Sequence, residues 1–255
     1  MDLNNKVVVV TGGASGLGLI TCQQLVKQGA KVVAFDLNEE AGKALEVQFE
    51  GKAVFAKVDV TDVASTETGI AAAVEAFGSI DACINCAGIA PGGKTVGRKG
   101  ALPLEKFSQV ININLIGTFN VLRLAAEQMA KNEPNADGER GVIINTASVA
   151  AFDGQVGQSA YSASKAGVVG MTLPLARDLA PLGIRVMTIA PGIFDTPMMK
   201  AMTDEVREPL IQMVQSPKRF GEPEEYASLA IHIINNGYLN GEVIRLDGSI
   251  RMEPK

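Results

Sequence analysis

The chain has 255 residues, of which 47% are hydrophobic and 20% charged, with a formal net charge of −5. That composition excludes a disordered or collagen-like chain. Mild acidity without a dense Lys/Arg stripe means that nucleic acid is not an expected partner.

Three cysteines without framework spacing argue against a disulfide scaffold and for a reducing compartment. The amino end runs almost directly into VVVVTGG, with no basic, apolar and cleavage regions in that order, so secretion is not expected. The longest apolar runs are strand-length, well short of the ~20 residues that membrane insertion needs. The expectation is a cytoplasmic protein or a processed mitochondrial form.

A first strand is predicted over 7–11, followed by TGGASGLG and a helix over 16–28. Glycines at 12, 16 and 18 permit a tight turn and a close backbone approach to a pyrophosphate, held by the free N–H groups of the helix start. Gly12, Ser15, Gly16, Leu17 and Gly18 are therefore candidate cofactor contacts. The second strand, 31–35, ends at Asp36. A carboxylate there can accept bonds from both adenosine ribose hydroxyls and repels a 2′-phosphate, and no Lys or Arg occupies 13–17 or 37–38. The expected cofactor is NAD rather than NADP.

A helix over 39–49 leads to a strand over 53–58, after which Asp59 and Val60 can line an adenine pocket. A helix over 64–76 and a strand over 82–85 follow. Asn85, Cys86, Ala87 and Gly88 close that strand, where small residues leave room for a cofactor. Cys83 and Cys86 form a lone C-x-x-C; a closed zinc site needs four ligands, so no metal is expected. His232 has no evident catalytic partner. Residues 90–103 read as a polar, glycine-rich loop, residues 104–131 as a long helix carrying Asn114, and residues 132–141 as a surface connection.

The strand over 142–146 is followed by Ser148 and the helix over 159–180 carries Tyr161 and Lys165. Oxidation of an alcohol needs a base for the hydroxyl proton. A free phenol is too weak a base near neutral pH, and a lysine four residues on shares its helix face and can lower its pKa. Lys165 can also hold a nicotinamide ribose. Ser148 would hydrogen-bond the substrate oxygen. Asn114 can hold water beside Lys165, or brace a helix against the sheet. Gln155 and Gln158 flank the turn before Tyr161 and are candidate contacts for a polar part of the substrate.

The strand over 185–190 ends in Pro191 and Gly192, followed by Phe194 and Thr196; all four are candidate cofactor contacts. The segment 191–222, with a helix over 204–213, reads as a mobile lid. Phe194, Met198, Met199 and Met202 offer an apolar lining. Lys94, Arg98, Lys99, Lys200 and Arg207 offer a diffuse positive rim for phosphates. A helix over 223–235 and a strand over 242–246 complete the chain. Nearly all strands are apolar on both faces, as in a parallel sheet covered by helices. The fold class expected is α/β, a Rossmann-like doubly wound parallel sheet of about seven strands with helices on both faces, in one domain over 1–255.

Taken together, TGGASGLG, Asp59, NCAG at 85–88, Asn114, Ser148, YSASK at 161–165 and PG at 191–192 resemble the short-chain dehydrogenase/reductase family over essentially the whole chain. The one departure is Cys86, where the family more often has asparagine; a cysteine is small enough that cofactor binding is expected to persist. The segments around GVIINTASVAAFDGQVGQSAYSASK and LNGEVIRLDGSIRM are similar to members that oxidise short or branched (S)-3-hydroxyacyl-CoA thioesters. That resemblance implies an NAD-dependent enzyme, usually a homo-tetramer. Open alternatives are a steroid or sugar-alcohol dehydrogenase, an acyl-carrier-protein-linked 3-ketoacyl reductase and a nucleotide-binding interaction scaffold.

Overall fold

The valine-rich runs become the centre of the sheet because their side chains are buried on both faces. Val7–Thr11 (β1) and Ile184–Pro191 (β8) are buried along their whole length. The structure, a computed structural model, describes residues 1–200 and 202–254, without the side chains of Met198 and Val206. With Lys31–Asp36 (β2), Ala53–Lys57 (β3), Ala82–Asn85 (β4), Gly141–Thr146 (β7) and Val243–Leu246 (β9), these strands form a seven-stranded sheet in the order β3-β2-β1-β4-β7-β8-β9. Every neighbouring pair in it is parallel. The order reverses between β1 and β4, which opens a crevice at their carboxyl ends, where open α/β sheets take ligands.

Helices cover both faces. Gly16–Lys27 (α1) and Pro223–Asn235 (α9) pack on one side, where Leu25, Val26, Tyr226 and Ile233 join the core. Val63–Phe77 (α3), Thr118–Met129 (α5) and Ser159–Leu179 (α6) pack on the other, through Ile70, Val121 and Leu175. Glu39–Gln48 (α2) lies between β2 and β3 in the chain. Among the described residues no helix is long and apolar enough to cross a membrane.

Three segments differ from the sequence expectation. The helix over 104–131 is a single helical path with a π-helical turn at Asn112–Gly117, between Leu104–Ile111 (α4) and α5. Such turns fit an extra residue into a helix and often sit at functional positions; this one buries Asn114 completely. The loop 90–103 contains a small antiparallel hairpin, Val96–Gly97 (β5) with Gly100–Ala101 (β6). Two residues per strand are too few for alternation to show in sequence. The segment 191–222 holds the expected helix, Asp204–Met213 (α8), and differs only in a further short one, Pro197–Lys200 (α7).

Candidate active site

The crevice at the β1/β4 reversal is a cleft of about 1310 Å³. Its floor is the turn after β1. Gly12 has φ +65°, and a side chain there would come within 3.0 Å of the Ala87 nitrogen. A side chain on Gly18 would strike the Gly12 carbonyl. Ser15, the N-cap of α1, makes no side-chain bond to the helix, so the first-turn N–H groups of α1 have no side-chain cap. Ser15, Gly16, Leu17 and Gly18 all line the cleft. An uncapped helix start behind glycines fits the pyrophosphate of a dinucleotide.

Asp36, Asp59 and Val60 line the same cleft. The two Asp36 oxygens accept from the Ala14 and Asn38 amides, each at 3.0 Å. These bonds aim the carboxylate into the turn while leaving each oxygen further acceptor capacity. Asp59 is held by Thr61, whose amide and hydroxyl donate to it at 2.9 and 2.7 Å. On the β4 side Cys86, Ala87 and Gly88 line the cleft, and Thr196 does so from the far wall. The Thr11 hydroxyl accepts from the Cys86 and Ala87 amides at 3.1 and 3.0 Å, knitting the ends of β1 and β4 together.

The chemical groups gather beyond Gly88. A side chain on Gly88 would lie 3.1 Å from Asn114 Oδ1 and 3.6 Å from Lys165 Nζ. Lys165 is 4% exposed, and its ammonium donates to the Thr146 carbonyl at 2.7 Å. Burial pushes its pKa down to about 8. Lys165 Nζ stands 5.8 Å from the centre of the Tyr161 ring. The sequence argument expects Lys165 to lower the phenol, but in this structure burial raises Tyr161, with the Ser148 hydroxyl acting in the opposite direction. The physical reason is that burial disfavours the charged phenolate, while the Lys165 ammonium is bonded to the Thr146 carbonyl. Ser148 caps the short turn Val149–Ala151, its Oγ accepting from the Ala150 amide at 3.1 Å.

Of the two roles the sequence leaves open for Asn114, the structure shows the bracing bonds. Its Oδ1 accepts from the Ile89 amide, and its Nδ2 donates to the Ile89 carbonyl, both at 2.8 Å, and to Ser164 Oγ at 3.1 Å. Ser164 in turn donates to the Tyr161 carbonyl at 2.7 Å. The loop after β4 and the helix of Tyr161 are thus fastened to one side chain.

Several expected contacts lie elsewhere. Asn85 points away from the cleft and donates to Asn145 at 2.9 Å, because strand alternation puts it on the face of Cys83. Phe194 is 6% exposed and packs in the core against Gly221, away from the residues that line the cleft. Pro191 ends β8 below the cleft, and Gly192 packs on Asp247, where a side chain would come within 2.9 Å. The Gln155 side chain donates to the Glu253 carbonyl, and the Gln158 side chain accepts from the Gln155 amide, so one group of each carboxamide holds the loop. Met199 and Met202 lie on the segment 191–222, and the Met198 side chain lies outside the described residues. Lys94, Arg98 and Lys99 are exposed on the hairpin, whereas Lys200 and Arg207 face Asp195 at 3.6 and 3.0 Å.

Sequence reasoning missed Thr11, Thr146 and Tyr226. Tyr226 is fully buried, with its hydroxyl 2.7 Å from Thr146 Oγ1 and 3.5 Å from Cys86 Sγ. Burial pushes the Cys86 thiol up, so it stays protonated. Among the described residues no group of three His, Cys, Asp or Glu side chains is placed to hold a metal ion.

Known proteins give this arrangement a context. The chain is 57% identical over 255 residues to the 3-hydroxyacyl-CoA dehydrogenase type-2 of Bos taurus, covering 99% of this chain and 98% of that protein. It is 54% identical over 254 residues to the protein of that name from Drosophila melanogaster, covering 99% and 100%. The crystal structure of 3-hydroxyacyl-CoA dehydrogenase type-2 from Mycobacterium avium matches it with a TM-score of 0.93 at 41% identity, over 100% of this chain and 98% of that one. The sequence pattern of the short chain dehydrogenases matches residues 6–207. The chain belongs to the short-chain dehydrogenase family of oxidoreductases, which typically depend on a nicotinamide dinucleotide.

Proposed function

We propose that the protein interconverts short or branched (S)-3-hydroxyacyl-CoA and 3-ketoacyl-CoA thioesters with NAD. The observation that carries the reaction type is the place of Lys165, whose ammonium lies beside Gly88 of the dinucleotide cleft and 5.8 Å from the centre of the Tyr161 ring, on the helix that follows Ser148. The acyl-CoA class rests on what the relatives are named for. The dinucleotide, when bound, supplies the hydride acceptor or donor. In oxidation Tyr161 takes the hydroxyl proton while Ser148 holds the oxygen; in reduction the roles reverse, with Tyr161 returning the proton. Lys165 would hold the nicotinamide ribose when the dinucleotide is bound.

Asp36 supports NAD, since its carboxylate lines the cleft and repels a 2′-phosphate. The three free cysteines suit a reducing compartment, cytoplasmic or, for a processed form, mitochondrial. The exposed Phe119 and Leu173 on α5 and α6 support association into a homo-tetramer, which light scattering tests. The deciding experiment is the initial rate of 3-hydroxybutyryl-CoA oxidation with NAD and, separately, with NADP, followed by absorbance of the reduced nucleotide. Turnover favouring NAD supports the reading. No turnover with either nucleotide overturns the substrate class, and equal use of both overturns the cofactor assignment.

A further inference from the structure

The loop that separates Ser148 from Tyr161 is tied down by residues that take no part in the chemistry. Arg245, on edge strand β9, donates from Nη2 to Asp153 Oδ2 at 2.6 Å and to the Ile250 carbonyl at 3.0 Å. Its Nε donates to Asp247 Oδ2 at 2.7 Å. Its guanidinium carbon lies 5.2 Å from the centre of the Phe152 ring. One planar side chain therefore fixes two consecutive loop residues to the strand edge and to the tail. A lysine offers neither the fork nor the flat face.

The tail adds two further ties. Gln155 Nε2 donates to the Glu253 carbonyl at 2.9 Å, and the Val156 amide donates to the Pro254 carbonyl at 3.0 Å. Ile250 is fully buried against Val149 and Val214. From the opposite side the Gly93 amide donates to the Gly157 carbonyl at 2.8 Å. The loop then enters α6 through the Ser162 amide, bonded to the Gln158 carbonyl at 2.7 Å. An isolated surface ion pair would contribute little. This pair differs: the Arg245 and Asp153 side chains are 21% and 18% exposed, and the guanidinium carries several charge-assisted bonds at once.

We propose that Arg245 is a positioning residue that, through Asp153, Phe152 and the tail 250–254, sets the relative placement of Ser148 and Tyr161. It touches neither the cofactor cleft nor the reacting atoms. The inference deepens the proposed acyl-CoA activity and rests on it for its kinetic arm. Displacements of about 1 Å in a reacting geometry cost up to roughly a hundredfold in rate.

The test uses Arg245→Met, Asp153→Asn, which spares β9 and the Arg245–Asp247 bond, and the double variant. Each single variant is expected to lower kcat/KM for 3-hydroxybutyryl-CoA by about tenfold or more. NADH affinity, read by fluorescence, stays within about twofold, because the dinucleotide cleft does not include these residues. The double variant should lose little beyond the worse single one, and Arg245→Lys should not restore activity. A purely structural role would lower Tm and leave kcat/KM per folded enzyme unchanged. That result, or fully additive losses, overturns the proposal. Amide exchange of the NAD-bound protein separates it from the substrate reading. If the unaltered enzyme fails to oxidise 3-hydroxybutyryl-CoA, faster exchange at Val156 in Asp153→Asn still supports the tie, and unchanged exchange overturns it.

Discussion

Lys165→Met should make the cofactor-free protein more stable while abolishing turnover. The ammonium is 4% exposed and its pKa falls from 10.5 to about 8 through burial. At about 1.4 kcal/mol per pKa unit, the buried charge costs roughly 3 kcal/mol at pH 7. Removing it also strands the Thr146 carbonyl, at about 1 kcal/mol, so the net gain is roughly 2 kcal/mol. The sign follows from linkage. A lysine with a depressed folded-state pKa contributes in full above 10.5 and loses that contribution as pH falls through about 8. The advantage of the variant should therefore be largest at pH 7 and shrink as pH rises through that window. Urea denaturation of both proteins, without cofactor and at one protein concentration, measures it at pH 7, 8.5 and 10. Parallel stability curves, or a variant less stable at pH 7, would refute the account of Lys165 as an uncompensated buried charge.

Tyr161→Phe should cost about 10²–10⁴-fold in kcat while calorimetry shows NAD binding retained, since only the proton-transfer group is lost. Asp36→Ala should cut the preference for NAD over NADP by at least about tenfold in the ratio of kcat/KM values, by removing the repulsion of a 2′-phosphate. Arg185→Leu should cost about 3–5 kcal/mol in denaturant unfolding. Arg185 is 6% exposed, pairs with Glu139 at 2.7 Å and donates to the Ile233, Ile234 and Leu239 carbonyls, so its loss leaves the Ile233 and Leu239 carbonyls without that donor and Glu139 with only the N-terminal ammonium, at 3.6 Å, as a charged partner. Oxidation of the hydroxyl substrate should speed up as pH rises toward ionisation of Tyr161, whose pKa burial raises, and ketone reduction should slow; rate profiles in both directions check this.

The parts of this molecule legible in sequence were those written in local spacing. Runs such as VVVV in β1 and VMTIA in β8 are apolar on both faces because helices cover both, and that pattern needs no structure to see. Gly12, Gly16, Gly18 and Asp36 act within a few residues of their strands, so their place in the cleft followed from the strand assignments. Tyr161 and Lys165 share a helix face by their separation alone. What stayed hidden depends on direction or distance. Asn85 turns away from the cleft although its neighbour Cys86 faces it; the one clue was that two apolar runs each end in asparagine, Asn85 and Asn145, which pair in register. Phe194 follows a site strand yet folds back under Gly221, which only the tertiary chain path reveals. Arg245 meets Asp153 across most of the C-terminal half of the chain, and no periodicity links them.

The bonds between Asn114 and Ile89 have a wider consequence. A primary carboxamide is a peptide group in miniature, with one carbonyl and one N–H edge. By offering both to Ile89, Asn114 imitates a neighbouring strand at the point where β4 has run out of real ones. The backbone beyond Gly88 is thereby satisfied as though the sheet continued, although only one side chain stands in for the strand. No other side chain of that length substitutes. Aspartate lacks the donor edge and would carry a buried charge, leucine has neither edge, and glutamine is one methylene too long for a packed site. The helix distorts by a π-turn to deliver this single group, so a local flaw in one element serves as counterfeit continuity in another.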